Sequence, residues 1–72
     1  MDKQKQIMKE IIELELAKNQ ILVANLKKKI ARFERANAIV KNTVAQQEVD
    51  DLVAELKVSE LQRKILLSRL KT

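Results

Sequence analysis

The chain has 72 residues, a net charge of +5 at pH 7, and a composition that is 46% hydrophobic and 35% charged. It contains no cysteine and no histidine, which excludes disulfides and the usual ligand sets for zinc, haem and iron–sulfur clusters. A single chain of this length buries only a marginal core, so self-association is the source of stability that the composition leaves open. Glycine and proline are also absent, which predicts an almost entirely helical protein with very short connections.

The first predicted element is a helix over residues 3–41, with Asp2 placed to cap its start. Apolar residues recur along it in alternate steps of three and four, which is the spacing of a helix that supercoils around a partner. We call this series seam one, and it continues beyond the first helix into the second. Its apolar members are Ile12, Leu16, Val23, Leu26, Ile30, Phe33, Val40, Val44, Val58, Leu61 and Ile65.

A second heptad series, seam two, follows a different side of the same helix. It is apolar at both ends of the chain, whereas alanines at residues 17, 24, 31, 38 and 45 and charged residues occupy its middle. The alanine column favours either close packing between helices or simply a high helix propensity. Two seams are more than a two-stranded coiled coil can bury, so the pattern favours a bundle of about four helices. The large apolar members of seam two are Ile7, Leu14, Ile21, Val49, Leu52, Leu56, Leu66 and Leu70.

A turn is predicted at residues 41–43, followed by a second helix over residues 44–71. Asn37 and Asn42 are of the residue type that, apart from glycine, best tolerates a left-handed backbone. Thr43 and Gln46 match a capping box, in which each side chain binds the backbone N–H of the other residue. Acidic residues follow in the first turns of this helix and basic residues crowd its end, as the helix dipole favours. The chain, residues 1–72, is thus predicted to be a single helical oligomerisation module.

Alternating blocks of charge predict the direction in which the helices run. An acidic block at residues 10–15 and a basic block at 27–35 are followed by an acidic block at 48–55 and a basic block at 63–71. A chain that folds back near residue 40 places acid beside base twice, whereas a parallel pair places each block beside its own copy. The same fold is expected to bring together the apolar ends of seam two, residues 7–24 and 45–70. Both patterns predict an antiparallel arrangement.

Two architectures satisfy these patterns. In the favoured one, each chain is an all-α, antiparallel helical hairpin of coiled-coil type, and two hairpins associate into a four-helix bundle. In the alternative, two continuous long helices pair as an antiparallel coiled coil. Asn19 and Asn37 interrupt seam one; they are expected to be partly buried amides that fix register at some cost in stability, or else surface residues near helix ends.

The sequence offers no catalytic, cofactor-binding or metal-binding constellation, so we expect a protein that is not an enzyme. Ser59 and Ser68 lie in helical context, with no histidine or cysteine to activate a nucleophile. Helical di-metal sites need a Glu-x-x-His pattern that this chain lacks. Neither a signal peptide nor a membrane-spanning stretch is recognised, so a soluble, cytoplasmic protein is expected.

These features predict a homo-oligomeric module, with a dimer favoured, that assembles proteins or adapts one protein to another. The expected partner is a second copy of the chain or another helical protein, and neither a membrane nor a small-molecule substrate. The alternative function is a small basic regulator that binds DNA or another nucleic acid as a helical dimer. A basic ridge on one helix face would supply its phosphate contacts, although the single aromatic residue lies in seam one and is not free to stack on bases. The ridge consists of Lys27, Lys28, Lys29, Arg32 and Arg35.

Overall fold

The protein is a hairpin of two antiparallel α-helices. The computed structural model describes residues 2–71, with α1 at Asp2–Ile39 and α2 at Gln46–Lys71. The predicted all-α helical hairpin is confirmed, and the alternative of one continuous helix is wrong, because the helix stops at Ile39 and the chain reverses over residues 40–45. Residues 1 and 72, the two ends of the predicted module, lie outside the described part of the chain.

The turn closes around a single residue in the left-handed backbone region. Asn42 has a φ of 66°, a conformation that asparagine tolerates better than other residues with a Cβ atom. The last turn of α1 is extended by a hydrogen bond from the Val40 N–H to the Ala36 carbonyl at 3.0 Å. The Thr43 N–H then donates to the Val40 carbonyl at 3.2 Å. The chain therefore reverses without glycine, over a connection slightly longer than the predicted residues 41–43.

The predicted capping box at the start of α2 is wrong. The Thr43 hydroxyl donates to the Val40 carbonyl at 2.6 Å, so it stabilises the turn instead of the helix. The helix begins two residues later than expected, and the Ala45 carbonyl accepts the N–H groups of Glu48 and Val49 at 3.0 and 3.4 Å. A capping box requires the threonine directly before the first helical residue. Thr43 lies three residues before Gln46, where the helix begins.

The core lies between seam one of α1 and seam two of α2. On α1, Val23, Leu26 and Ile30 are buried, and Ile12, Leu16 and Phe33 are half-buried. These positions form one continuous stripe, since residues three and four apart share a helix face. The members on α2 are the buried Val49, Ser59 and Leu66 and the half-buried Leu52, Leu56 and Leu70.

The expected contact between the two ends of seam two does not form within the chain. Ile7, Leu14 and Ile21 are 55, 72 and 63% exposed. On α1, seam one stays free of charge over its whole length, whereas seam two is interrupted by Lys28 and Arg35. A helix with one neighbour can bury only one stripe, and α1 buries the stripe that carries no charged residue.

The members of seam one beyond α1 are likewise mostly outside the core. Val58, Leu61 and Ile65 are 54, 58 and 54% exposed, Val40 in the turn is 62% exposed, and Val44 is half-buried. On α2, seam two is the more continuous apolar stripe, so it takes the core position. Each helix thus buries one seam and leaves the other on the surface.

Candidate interaction surface

The hairpin exposes a second apolar stripe on each helix. On α1, Ile7, Ile11, Leu14 and Ile21 follow the spacing of a heptad repeat, and on α2, Val58, Leu61 and Ile65 do the same. All of them are at least 44% exposed. Leu22, which is 39% exposed, lies beside the stripe of α1. The exposed apolar residues of both helices that lie on one shared side form what we call the outer apolar face. Its members are Ile11, Leu22, Val58 and Ile65.

Part of each exposed stripe lies on one shared side of the hairpin. Leu22 of α1 and Ile65 of α2 line one open groove between the helices, with a volume of about 490 Å³. Lys18 of α1 lines this groove as well, and Ile11 lies seven residues before it on the same face. Val58 lies seven residues before Ile65 on the same face, whereas Leu61 lines a separate groove with Lys57, Glu60 and Lys64. The remaining exposed residues of the α1 stripe, Ile7, Leu14 and Ile21, recur every seven residues on the side of α1 that faces away from α2. The outer apolar face is therefore one surface built by both helices. The groove is lined by Glu15, Lys18, Asn19, Leu22, Gln62, Ile65, Leu66 and Arg69.

Asn19 lies at the base of this groove and links the two helices. Its side chain is 7% exposed, and its Nδ2 donates to the Ser59 carbonyl of α2 at 2.8 Å. Its Oδ1 is buried and has no hydrogen-bond partner among residues 2–71. A buried acceptor without a donor costs about 1–3 kcal/mol. The amide is therefore buried, as one of the two expectations from the sequence had it, and a buried polar residue in a seam is of the kind that can fix register at some cost in stability.

Asn37 fixes the register at the other end. Its Oδ1 accepts the Val44 N–H at 2.8 Å, and its Nδ2 donates to the Val44 carbonyl at 3.1 Å. Both polar groups of the side chain are thus satisfied across the turn. The sequence-based expectation of a partly buried amide is met, and the structure adds that this amide closes the hairpin.

The two asparagine contacts determine which parts of the helices lie side by side. The segment of α1 between Asn19 and Asn37 runs alongside the segment of α2 between Val44 and Ser59. The basic block of α1 consequently lies beside the acidic block at residues 48–55. The acidic block at residues 10–15 lies beside the basic end of α2. This is the arrangement that the charge pattern predicts.

Towards the turn, the same side of the hairpin changes from apolar to charged. Lys29 lies seven residues after Leu22 and Arg32 lies fourteen residues after Lys18, so both are on the groove side of α1, and Lys28 lies beside them; all three are exposed. On α2, the exposed Glu48, Asp51 and Glu55 precede Val58 and Gln62 by multiples of seven residues, so they share that side. We call these two sets the basic triad and the acidic triad.

The five residues of the basic ridge do not share one side of α1. The Lys29 Nζ lies 5.7 Å from the centre of the Phe33 ring, within the range of a cation–π contact. Lys27 faces the opposite edge of α1, and Arg35 lies on the side of α1 that faces away from α2. The structure therefore brings together Lys28, Lys29 and Arg32 and separates Lys27 and Arg35 from them.

Sequence reasoning missed Ile11 and Leu22, which belong to neither seam but complete the outer apolar face. The heptad spacing of Ile7, Ile11 and Leu14 was the signal that identifies Ile11.

Within residues 2–71, no three potential metal ligands cluster together. Neither helix, over the same residues, combines the length and apolar character needed to cross a bilayer. Comparison of the chain with protein-family models, curated proteins and solved structures finds no match.

Proposed function

We propose that this protein is a non-enzymatic, homo-oligomeric helical module for assembly or adaptor roles, and that its outer apolar face binds another helical hairpin. The dimer is the favoured form, giving a four-helix bundle. The cytoplasmic location expected from the sequence belongs to this proposal. The main observation in support of this proposal is the outer apolar face, which is exposed to solvent in a single hairpin.

The balance of buried and exposed apolar residues supports association. Among residues 2–71, five apolar side chains are buried, whereas twelve large apolar side chains are exposed. Four of the twelve, the members of the outer apolar face, lie on one side of the molecule, and Ile7, Leu14, Ile21 and Leu61 border that side. Scattered apolar residues are normal on a monomer, but a contiguous apolar patch with polar surroundings is typical of a protein-binding surface.

The shape of the hairpin supports the same conclusion. Its radius of gyration is 16.8 Å and its dimensions are 59 × 14 × 13 Å, whereas a compact domain of this length has a radius of gyration of about 11 Å. Its accessible surface is 6194 Å², against about 4,600 Å² for a compact monomer of this mass. The hairpin therefore exposes more additional surface than the ~800 Å² that one partner buries in a standard interface, so it has enough surface to bind a partner.

Solution mass tests the proposal. Sedimentation equilibrium of the unaltered chain over a wide concentration range should give twice the 8.3 kDa of one chain. Ile65→Glu places a charge on the outer apolar face, where Ile65 is 54% exposed, and should give a helical monomer. Leu67→Glu is the matched control, because Leu67 is 41% exposed and faces the opposite edge of α2, so the dimer should persist. A fully helical monomer at the highest attainable concentration of the unaltered chain contradicts the proposal.

A further inference from the structure

We propose that two copies associate with their turns at the same end, so that α1 of each copy lies antiparallel on α2 of the other. This inference rests on the proposed function and specifies the partner and its orientation. It also assigns a role to the basic triad, which contacts the acidic triad of the second copy.

The first step is the polarity of the interaction surface along the hairpin. Its open end carries exposed apolar residues, Ile11 and Leu22 on α1 and Val58 and Ile65 on α2. Its turn end is charged, and both triads there are exposed. A partner that matches this surface must therefore present its own apolar half to the open end and a charged half to the turn end. A second copy does so when the two hairpins point in the same direction.

The second step is the difference in charge between the two helices. In the charged half, α1 carries the basic triad and α2 carries the acidic triad. Placing α1 on α1 of the second copy opposes like charges, which disfavours that pairing. Placing α1 on α2 of the second copy opposes the basic triad to the acidic triad.

The third step is that one symmetric arrangement satisfies both conditions. A two-fold axis parallel to the long axis of the hairpins keeps the turns at one end and stacks each α1 on the other copy's α2. The interface is then closed and self-complementary, and all neighbouring helices run antiparallel, as in an up-down-up-down bundle. The asparagine contacts place the two triads at the same height within one hairpin. They are therefore also at the same height across the two-fold axis.

The opposite arrangement, with the turns at different ends, fails on the same grounds. In full overlap, it places Ile11 of one copy against Arg32 of the other, or against the charged half of α2. Burying an unpaired charge against apolar side chains is costly. Sliding the copies until only the apolar halves overlap leaves both charged halves outside the interface and loses their complementarity.

The distance between the two turns tests the orientation. The chain has no cysteine, so a nitroxide label on Lys41→Cys, which is exposed in the turn, reports a single site per copy. Each hairpin is 14 × 13 Å in cross-section and helices pack 8–10 Å apart, so pulsed dipolar spectroscopy of the dimer should give a label separation of roughly 20–30 Å. Turns at opposite ends give a separation close to the 59 Å length of the hairpin or more. A dimeric mass with the long separation overturns this inference and leaves the proposed function standing, whereas a monomeric mass overturns both.

Charge reversal provides a second readout that does not depend on the label. Lys28→Glu/Arg32→Glu and Glu48→Lys/Asp51→Lys should each lower the dimerisation constant by about tenfold or more, because these residues lie at the same height and like charges then face each other between copies. An equimolar mixture of the two variants should restore dimerisation, since the charges are again complementary. Circular dichroism of each variant verifies that the hairpin remains helical. Dimerisation that is insensitive to both variants contradicts a role for the triads in the interface.

Discussion

The side chain of Asn37 brackets the backbone of Val44, accepting its N–H at 2.8 Å and donating to its carbonyl at 3.1 Å. One amide therefore satisfies a donor and an acceptor of the connection that would otherwise depend on water. The contact spans the turn between α1 and α2 and fixes where the second helix starts to run back along the first.

Replacing this amide should loosen the hairpin. Asn37→Ala removes both hydrogen bonds and is expected to lower the free energy of unfolding by about 1–3 kcal/mol, since each bond contributes about 0.5–1.5 kcal/mol. Asn37→Asp keeps the acceptor for the Val44 N–H but places a carboxylate oxygen against the Val44 carbonyl, so it should also be destabilising. Urea denaturation followed by circular dichroism measures both variants. Equal stability of Asn37→Ala and the unaltered chain would show that the two hydrogen bonds to the Val44 backbone do not stabilise the hairpin.

The left-handed conformation of Asn42 makes a separate prediction. Asn42→Gly should match or exceed the unaltered chain in stability, because glycine adopts a φ of 66° without steric cost. Asn42→Ala should be less stable by about 1–2 kcal/mol, the cost of a Cβ in this region. Thermal melting at one fixed concentration compares the three chains. The prediction fails if alanine and glycine at this position give the same stability.

Two apolar residues distinguish the core of one hairpin from the proposed interface. Leu26 is 6% exposed, so Leu26→Ala should lower stability by about 2–5 kcal/mol at every protein concentration. Ile65 is 54% exposed, so Ile65→Ala should act chiefly through association, which depends on concentration. Melting curves over a hundredfold or so range of concentration distinguish the two effects. A loss of stability in Ile65→Ala that is the same at all concentrations would place this isoleucine in the core of the single chain.

Replacing Asn19 tests whether its side chain fixes the register of the two helices at a cost in the free energy of unfolding. Asn19→Leu removes a buried acceptor that has no donor in residues 2–71 and adds apolar contact opposite the small Ser59. Stability should rise, by about 1 kcal/mol, since replacing a poorly satisfied buried polar group by an apolar one is often favourable. Register should become less specific, which pulsed dipolar spectroscopy between labels at Gln4→Cys and Lys71→Cys detects as a broader distance distribution. A destabilised variant with an unchanged distribution would contradict this role.

The basic ridge also supports a test of the alternative function, nucleic-acid binding. In the proposed dimer, the acidic triad of the second copy neutralises the basic triad, so duplex DNA should bind weakly at physiological salt. Fluorescence anisotropy with a labelled duplex at two salt concentrations measures this affinity. Tight binding that falls steeply with salt, and that is lost when Lys28, Arg32 and Arg35 become alanine, would favour the nucleic-acid regulator instead.

Several local features could be predicted from the sequence because their causes are local. The absence of glycine and proline and the heptad spacing predicted helices, and the asparagines near residue 40 predicted where the chain turns. The alternating charge blocks predicted that the helices run antiparallel. The capping box at Thr43 was wrong because a four-residue match does not determine where a helix starts, and here the hydroxyl binds the Val40 carbonyl instead.

The pairing of the stripes was decided only by the tertiary structure. The sequence by itself determined that each helix carries two apolar stripes, because side-chain periodicity is a property of one helix. It did not determine that seam one of α1 packs on seam two of α2, because that choice depends on contacts such as Asn19 with Ser59, which lie 40 residues apart. This choice leaves Leu22, Ile65 and their neighbours on one side of the hairpin. The position of the outer apolar face therefore follows from the packing of the two helices, and periodicity alone does not specify it.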